Sequence, residues 1–139
     1  MQDRYMVHAQ CVQRLVREYH QYGRIIMAVD FDNTLFDYHG VGDTYPQMED
    51  LLKKAEPYTN VMIFTCRPKK QHEEITEYLN ERGIKFDTIN EPIITLNGED
   101  STSKPFYTLL LDDRAGLFSA MCTLQAFITI IESETKEDV

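Results

Sequence analysis

Ile25-Ile26-Met27-Ala28-Val29-Asp30-Phe31-Asp32-Asn33-Thr34-Leu35 is an apolar run that ends in two carboxylates spaced two apart, followed at once by Asn-Thr. Short, apolar on both faces and rich in β-branched residues, it reads as a buried strand of a parallel sheet. If the strand continues, its alternation puts the side chains of Asp30 and Asp32 on the same side. At the carboxyl end of a parallel strand they face the crevice in which open α/β sheets bind ligands. Two carboxylates there repel unless a cation lies between them, and an all-oxygen site of this kind suits Mg²⁺.

Outward from this run the pattern alternates. Residues 3–21 place Tyr5, Met6, Ala9, Val12, Leu15, Val16 and Tyr19 at helical spacing, ended by Gly23. After the first strand comes a loop holding Gly40, Gly42 and Asp43. Pro46 then fits the first turn of a helix that carries Met48, Leu51, Leu52 and Ala55 inward. A second buried strand is predicted over residues 61–65, a helix over 69–82 and a short strand over 84–89. Asn97-Gly98 marks a turn in a polar connection. A fourth strand is predicted over 106–111, ending in Asp112-Asp113, and a last helix over 115–131. Alternating strands and helices imply a doubly wound parallel α/β sheet in a three-layer sandwich. Its strand ends gather three polar clusters at one edge: Asp30/Asp32, Thr65/Arg67 and Asp112/Asp113.

Composition sets the outer bounds. The 139 residues make one domain, over 1–139, with a helical N-terminal extension at 1–22 and an acidic tail at 132–139 expected to fray. Hydrophobic residues at 42% and charged ones at 27% are ordinary for a globular chain. No apolar run approaches the roughly 20 residues that cross a bilayer. No apolar signal segment follows the N-terminus, so no signal peptide is expected. Cys11, Cys66 and Cys122 are odd in number and lack CxxC spacing, which predicts free thiols in a reducing cytoplasm. A net charge of −9 speaks against a nucleic-acid backbone as partner. It is compatible with a small phosphorylated substrate, because a bound divalent cation and a few local cations reverse the sign of one cleft. His8, His20, His39 and His72 are scattered and read as surface or core residues.

Asp30-Phe31-Asp32-Asn33-Thr34-Leu35 resembles the first motif, D-x-D-x-T-[LV], of the haloacid-dehalogenase (HAD) superfamily of phosphotransferases, and the resemblance runs to about Arg114. Thr65 resembles the second motif, a hydroxyl that binds the transferring phosphoryl group. Lys104, in Ser101-Thr102-Ser103-Lys104-Pro105, resembles the third, a lysine that steadies the charge of nucleophile and phosphoryl group, with Lys69, Lys70 and Lys85 as competitors. Leu109-Leu110-Leu111-Asp112-Asp113-Arg114 resembles the fourth, an acidic pair that holds the metal. The resemblance implies a Rossmann-like core with strand order 3-2-1-4 and no room for a cap domain, as in small bacterial and phage-type members.

The same resemblance implies an Mg²⁺-dependent phosphomonoester hydrolase. Asp30 would be the nucleophile that forms an aspartyl-phosphate, and Asp32 the acid and base. Mg²⁺ would lie between Asp30, Asp112 and the backbone carbonyl of Asp32, with Asp113 orienting the metal shell. Thr65 and Lys104 would hold the equatorial oxygens. Arg67 is placed to pair with phosphate or with a second acidic group of the substrate, and Arg114 with a neighbouring carboxylate. The alternatives are a phosphotransferase of the same family and a non-catalytic binding or regulatory module on the same fold. The N-terminal helix is expected to pack across the sheet or to serve as a homo-oligomer surface.

Overall fold

A computed structural model of the chain describes residues 6–42, 44–94 and 104–137. The elements run α1 (His8–Tyr22), β1 (Ile25–Asp30), α2 (Thr44–Ala55), β2 (Thr59–Phe64), α3 (His72–Glu81), β3 (Thr88–Ile89), β4 (Leu109–Leu111) and α4 (Leu117–Glu137). The four strands form one parallel sheet in the order β3-β2-β1-β4. β1 is central and takes a partner on each edge: Val29 lies opposite Ile63 of β2 and Leu111 of β4. Such a strand has no solvent face, which is why Ile25, Ile26, Met27, Ala28 and Val29 are all buried. Because all strands point the same way, the residues after Asp30, Phe64 and Leu111 emerge along one edge of the sheet.

One face of the sheet builds the main core. Ile25, Met27 and Val29 of β1 join Val61, Ile63 and Leu111, and all four helices feed the same cluster. α1 contributes Leu15 and Val16, α3 Ile75 and Leu79, α4 Phe127 and Ile131. The apolar face of the N-terminal helix is thus used inside the chain, where α1 packs along α4. On the opposite face Ile26, Ala28 and Met62 are also buried, and Phe64 meets Tyr107 edge-on at 5.7 Å. No helix among the described residues is long and apolar enough to cross a membrane.

Element boundaries depart from expectation where side chains replace backbone partners. The third strand shrinks from 84–89 to Thr88–Ile89 because the Asp87 carboxylate accepts the Val61 N–H at 2.8 Å, while the Asp87 N–H donates to the Val61 carbonyl. A carboxylate thereby closes the ladder where an earlier strand residue was expected. The fourth strand is confined to Leu109–Leu111, though Thr108 still donates its N–H to Ile26. The expected fraying of the acidic tail is corrected: α4 stays helical to Glu137, tied to α1 by His20 and Glu134 at 2.7 Å. α1 begins at His8, five residues later than its apolar spacing implies, and ends on Gly23 at φ +80. Thr65, expected as the last residue of its strand, falls one past the end of β2. The Asn97-Gly98 turn lies outside the described residues.

The ring of Phe127 is fully buried and meets Tyr19 and Tyr58 edge-on. Phe127→Ala should therefore lower stability by about 3–5 kcal/mol. Tyr22→Ala, at a side chain 70% exposed, should stay within about 0.5 kcal/mol. Denaturant midpoints measure both, and similar losses for the two variants would contradict the packing of α4 described above.

Candidate functional site

The chain leaves β1 at Asp30 and turns tightly. The N–H groups of Thr34, Leu35 and Phe36 all point at the Phe31 carbonyl, and Asn33 donates to Phe36 at 2.6 Å. Asn33 sits at φ +62, a left-handed conformation that Asn tolerates better than most residues. This turn drives Phe31, Thr34 and Leu35 into the interior and leaves Asp30 and Asp32 half-buried at the surface of the edge.

Thr34 is the peg of the site. Its hydroxyl, fully buried, donates to Asp30 Oδ2 at 3.1 Å and lies 3.5 Å from Asp113 Oδ1. The same oxygen accepts the Asp113 N–H at 3.0 Å. One side chain therefore ties the end of β1 to the turn after β4. That turn is held by Asp112, whose Oδ1 accepts the Arg114 N–H at 2.9 Å and whose carbonyl accepts the Ala115 N–H.

The result is a cluster of three carboxylates. Asp30, Asp112 and Asp113 each offer an oxygen, all within 4.8 Å of one another. Burial pushes the Asp30 carboxyl up from 3.8 to about 7, helped by the hydrogen bond shared with Asp113 and the charge of Asp112, while the Thr34 bond works against the rise. The donor set is carboxylate oxygen throughout, the ligand type taken by hard divalent cations such as Mg²⁺. The fit is chemical as well as geometric, because a dication offsets the carboxylate charge that burial makes costly at Asp30.

Asp32 takes a different direction. Its two oxygens receive Arg67 Nε at 3.1 Å and Nη2 at 2.7 Å, a two-pronged ion pair. The guanidinium lies 5.2 Å from the centroids of both Phe31 and Phe36, whose rings stack at 5.6 Å. The hydrogen bonds to Asp32, and after them its charge, raise the Arg67 pKa against the opposing effect of burial. The Asp32 carboxylate, expected to be free for proton transfer, is engaged by Arg67 and stands outside the three-carboxylate group. Arg67, expected to face phosphate or a second acidic group, is turned onto a carboxylate of its own chain.

Thr65 points its hydroxyl at its own turn, accepting the Arg67 N–H at 3.0 Å. Lys104 is exposed, and none of the described bonds of the three carboxylates involves it. Arg114 reaches Asp112 through its backbone N–H. Asn90 went unnoticed in the sequence: its side chain accepts the Thr65 N–H at 2.9 Å and donates to the Thr65 carbonyl at 2.8 Å, pinning the ends of β2 and β3. The available signal was an Asn directly after a short strand, and it adopts φ +57. No family model, curated protein or solved structure matches the chain.

Two expectations follow from this geometry. Thr34→Val would remove the acceptor of the part-buried Asp113 N–H, at a cost of about 0.5–1.5 kcal/mol, and should weaken Mg²⁺ binding. Calorimetric titration of the variant measures the second effect. For Asp30 the native chain holds, between pH 3.8 and about 7, a proton that the unfolded chain has lost. Its contribution to stability is therefore full below that window and lost as pH rises through it. In metal-free buffer the thermal midpoint should carry this decline, and Asp30→Asn should lose it. Mg²⁺ should raise the midpoint more above the window than below it; equal shifts on both sides would remove the Asp30 charge as its cause.

Proposed function

We propose that the chain is an Mg²⁺-dependent phosphomonoester hydrolase of the HAD type, working through an aspartyl-phosphate on Asp30. The observation that carries the reading is the convergence of Asp30, Asp112 and Asp113 at the ends of two adjacent parallel strands, in the order the motifs require. Further support comes from a parallel sheet in the order β3-β2-β1-β4 and from an edge that no inserted domain covers among the described residues. The reading takes the core as a three-layer sandwich without a cap, the third layer covering the face of Ile26, Ala28 and Met62.

Mg²⁺, held by Asp30, Asp112 and Asp113 with the Asp32 carbonyl as a further ligand, would neutralise the phosphoryl group and orient it for in-line attack. Asp30 attacks phosphorus as the bond to the leaving oxygen breaks. Asp32 gives a proton to that oxygen, then takes one from the water that hydrolyses the acyl phosphate and regenerates Asp30. Since the Arg67 fork occupies both Asp32 oxygens, proton transfer requires the pair to open. An incoming phosphate is a competing anion for Arg67 and supplies a reason for it to open. Thr65 and Lys104 would steady the equatorial oxygens, Thr65 by exchanging its turn bond and Lys104 by approaching from its exposed position. A phosphotransferase would share every step except the final acceptor, which would be another hydroxyl instead of water.

A second reading draws on two observations: Asp32 is ion-paired, and Lys104 is bonded to none of the cluster carboxylates. Both fit a module that binds a cation or phosphate without turnover. A panel of phosphomonoesters assayed with Mg²⁺ separates the two readings. Hydrolysis should stop on chelation and return with Mg²⁺. Asp30→Asn should abolish turnover, Asp32→Asn should slow it by about 10²–10⁴, and Lys104→Ala should lower it while Mg²⁺ binding persists. A protein that binds Mg²⁺ but hydrolyses nothing across the panel supports the module; turnover that survives chelation contradicts both.

A further inference from the structure

A groove of about 610 Å³ runs between α2 and α4 and is lined by none of the residues at the polar strand ends. α2 follows the loop after the first carboxylates, and α4 follows the turn of Asp112 and Asp113. Leu51, Leu117 and Met121 line it, and Phe118 stands at its rim. Phe118 is 80% exposed, the highest value for a large apolar side chain among the described residues. An aromatic ring standing free beside an apolar groove is the arrangement that anchors an interface. On α1, Val12, Leu15 and Val16 are buried within the chain.

The charges on the groove select its occupant. Asp50 and Lys54 are exposed one turn apart on the same side of α2, and the rest of the lining is uncharged. A net charge of −9 opposes self-association over most of the surface, whereas this patch sums to zero. A two-fold axis that sets two α2 helices antiparallel brings Asp50 of each copy to Lys54 of the other. In an isologous interface each Phe118 would face the groove of the other copy. A strongly acidic or basic partner would find no matching charge here.

We propose that a second copy of this chain docks in the α2–α4 groove, forming a two-fold dimer anchored by Phe118 and held in register by Asp50 and Lys54. The proposal is independent of the phosphatase reading, since it rests on surface residues that take no part in the chemistry.

Sedimentation of the full-length protein over a micromolar concentration series tests it. A reversible species of twice 16.3 kDa is expected. Phe118→Glu should raise the dissociation constant at least about thirtyfold, which corresponds to about 2 kcal/mol at an anchor of this kind. The exposure of Phe118 leaves the monomer fold intact, which circular dichroism checks. Asp50→Lys should weaken the dimer by placing lysines opposite one another, and adding Lys54→Asp should restore it. A wild-type chain that is monomeric throughout overturns the proposal and leaves the groove to a segment of this chain or to another protein. A dimer indifferent to Phe118→Glu and to both charge changes overturns it equally, by placing the interface elsewhere.

Discussion

The oxygens of Asp30, Asp112 and Asp113 crowd within 4.8 Å, and the buried Thr34 hydroxyl holds two of those residues in place. Much of the structure serves to make this arrangement possible. A central β1 paired with β4 brings the two acidic strand ends side by side, and a tight turn at 31–36 swings Thr34 under them. The cost shows in the rise of Asp30 to about 7, driven first by burial, then by the hydrogen bond with Asp113 and the charge of Asp112. A fold that concentrates like charge in this way trades stability for a site, the usual direction of compromise at functional positions. Removing the charge by protonation or offsetting it with a dication are the two ways out, and only the second fits the nucleophilic role proposed for Asp30.

Beside the cluster lies a second polar unit with the opposite character. Asp32 and Arg67 satisfy one another and are backed by the stacked rings of Phe31 and Phe36. The two units separate the tasks assigned to the paired aspartates: one carboxylate sits among acids and is starved of counter-charge, while the other is already neutralised. In the proposed mechanism Asp30 takes the side of the cation and Asp32 gives up Arg67 to the incoming anion. The turn that carries Arg67 is itself fixed, by Thr65 accepting its N–H and by His72 at 3.2 Å from its carbonyl. The opening that the proposed mechanism requires would then be a motion of the Arg67 side chain, with its backbone in place.

β1 and the carboxylates after it were legible in the sequence because burial on both faces and parallel pairing leave a distinctive apolar run with an abrupt polar end. The gathering of Asp30 with Asp112 and Asp113 at one edge followed from the parallel alternation of elements, whereas the strand order rested on the resemblance of the motifs. The shortening of the third strand was not legible, since Asp87 acts as a backbone surrogate and an aspartate near a strand end has many other uses. Nor was the Arg67–Asp32 pair, which depends on the angle of one turn relative to another. The acidic tail looked disordered by composition, yet its helix survives because it continues α4 and meets His20 of α1. Local charge argued one way, and tertiary packing decided the other.

The central claim is that Asp30 accepts the phosphoryl group. Rapid acid quench of the Mg²⁺-loaded protein turning over a phosphomonoester, followed by peptide mass spectrometry, tests it most directly. The account predicts a phosphoryl adduct on the peptide containing Asp30, more abundant in Asp32→Asn and absent from Asp30→Asn. An adduct on any other side chain, or steady turnover with no covalent adduct at all, would contradict it.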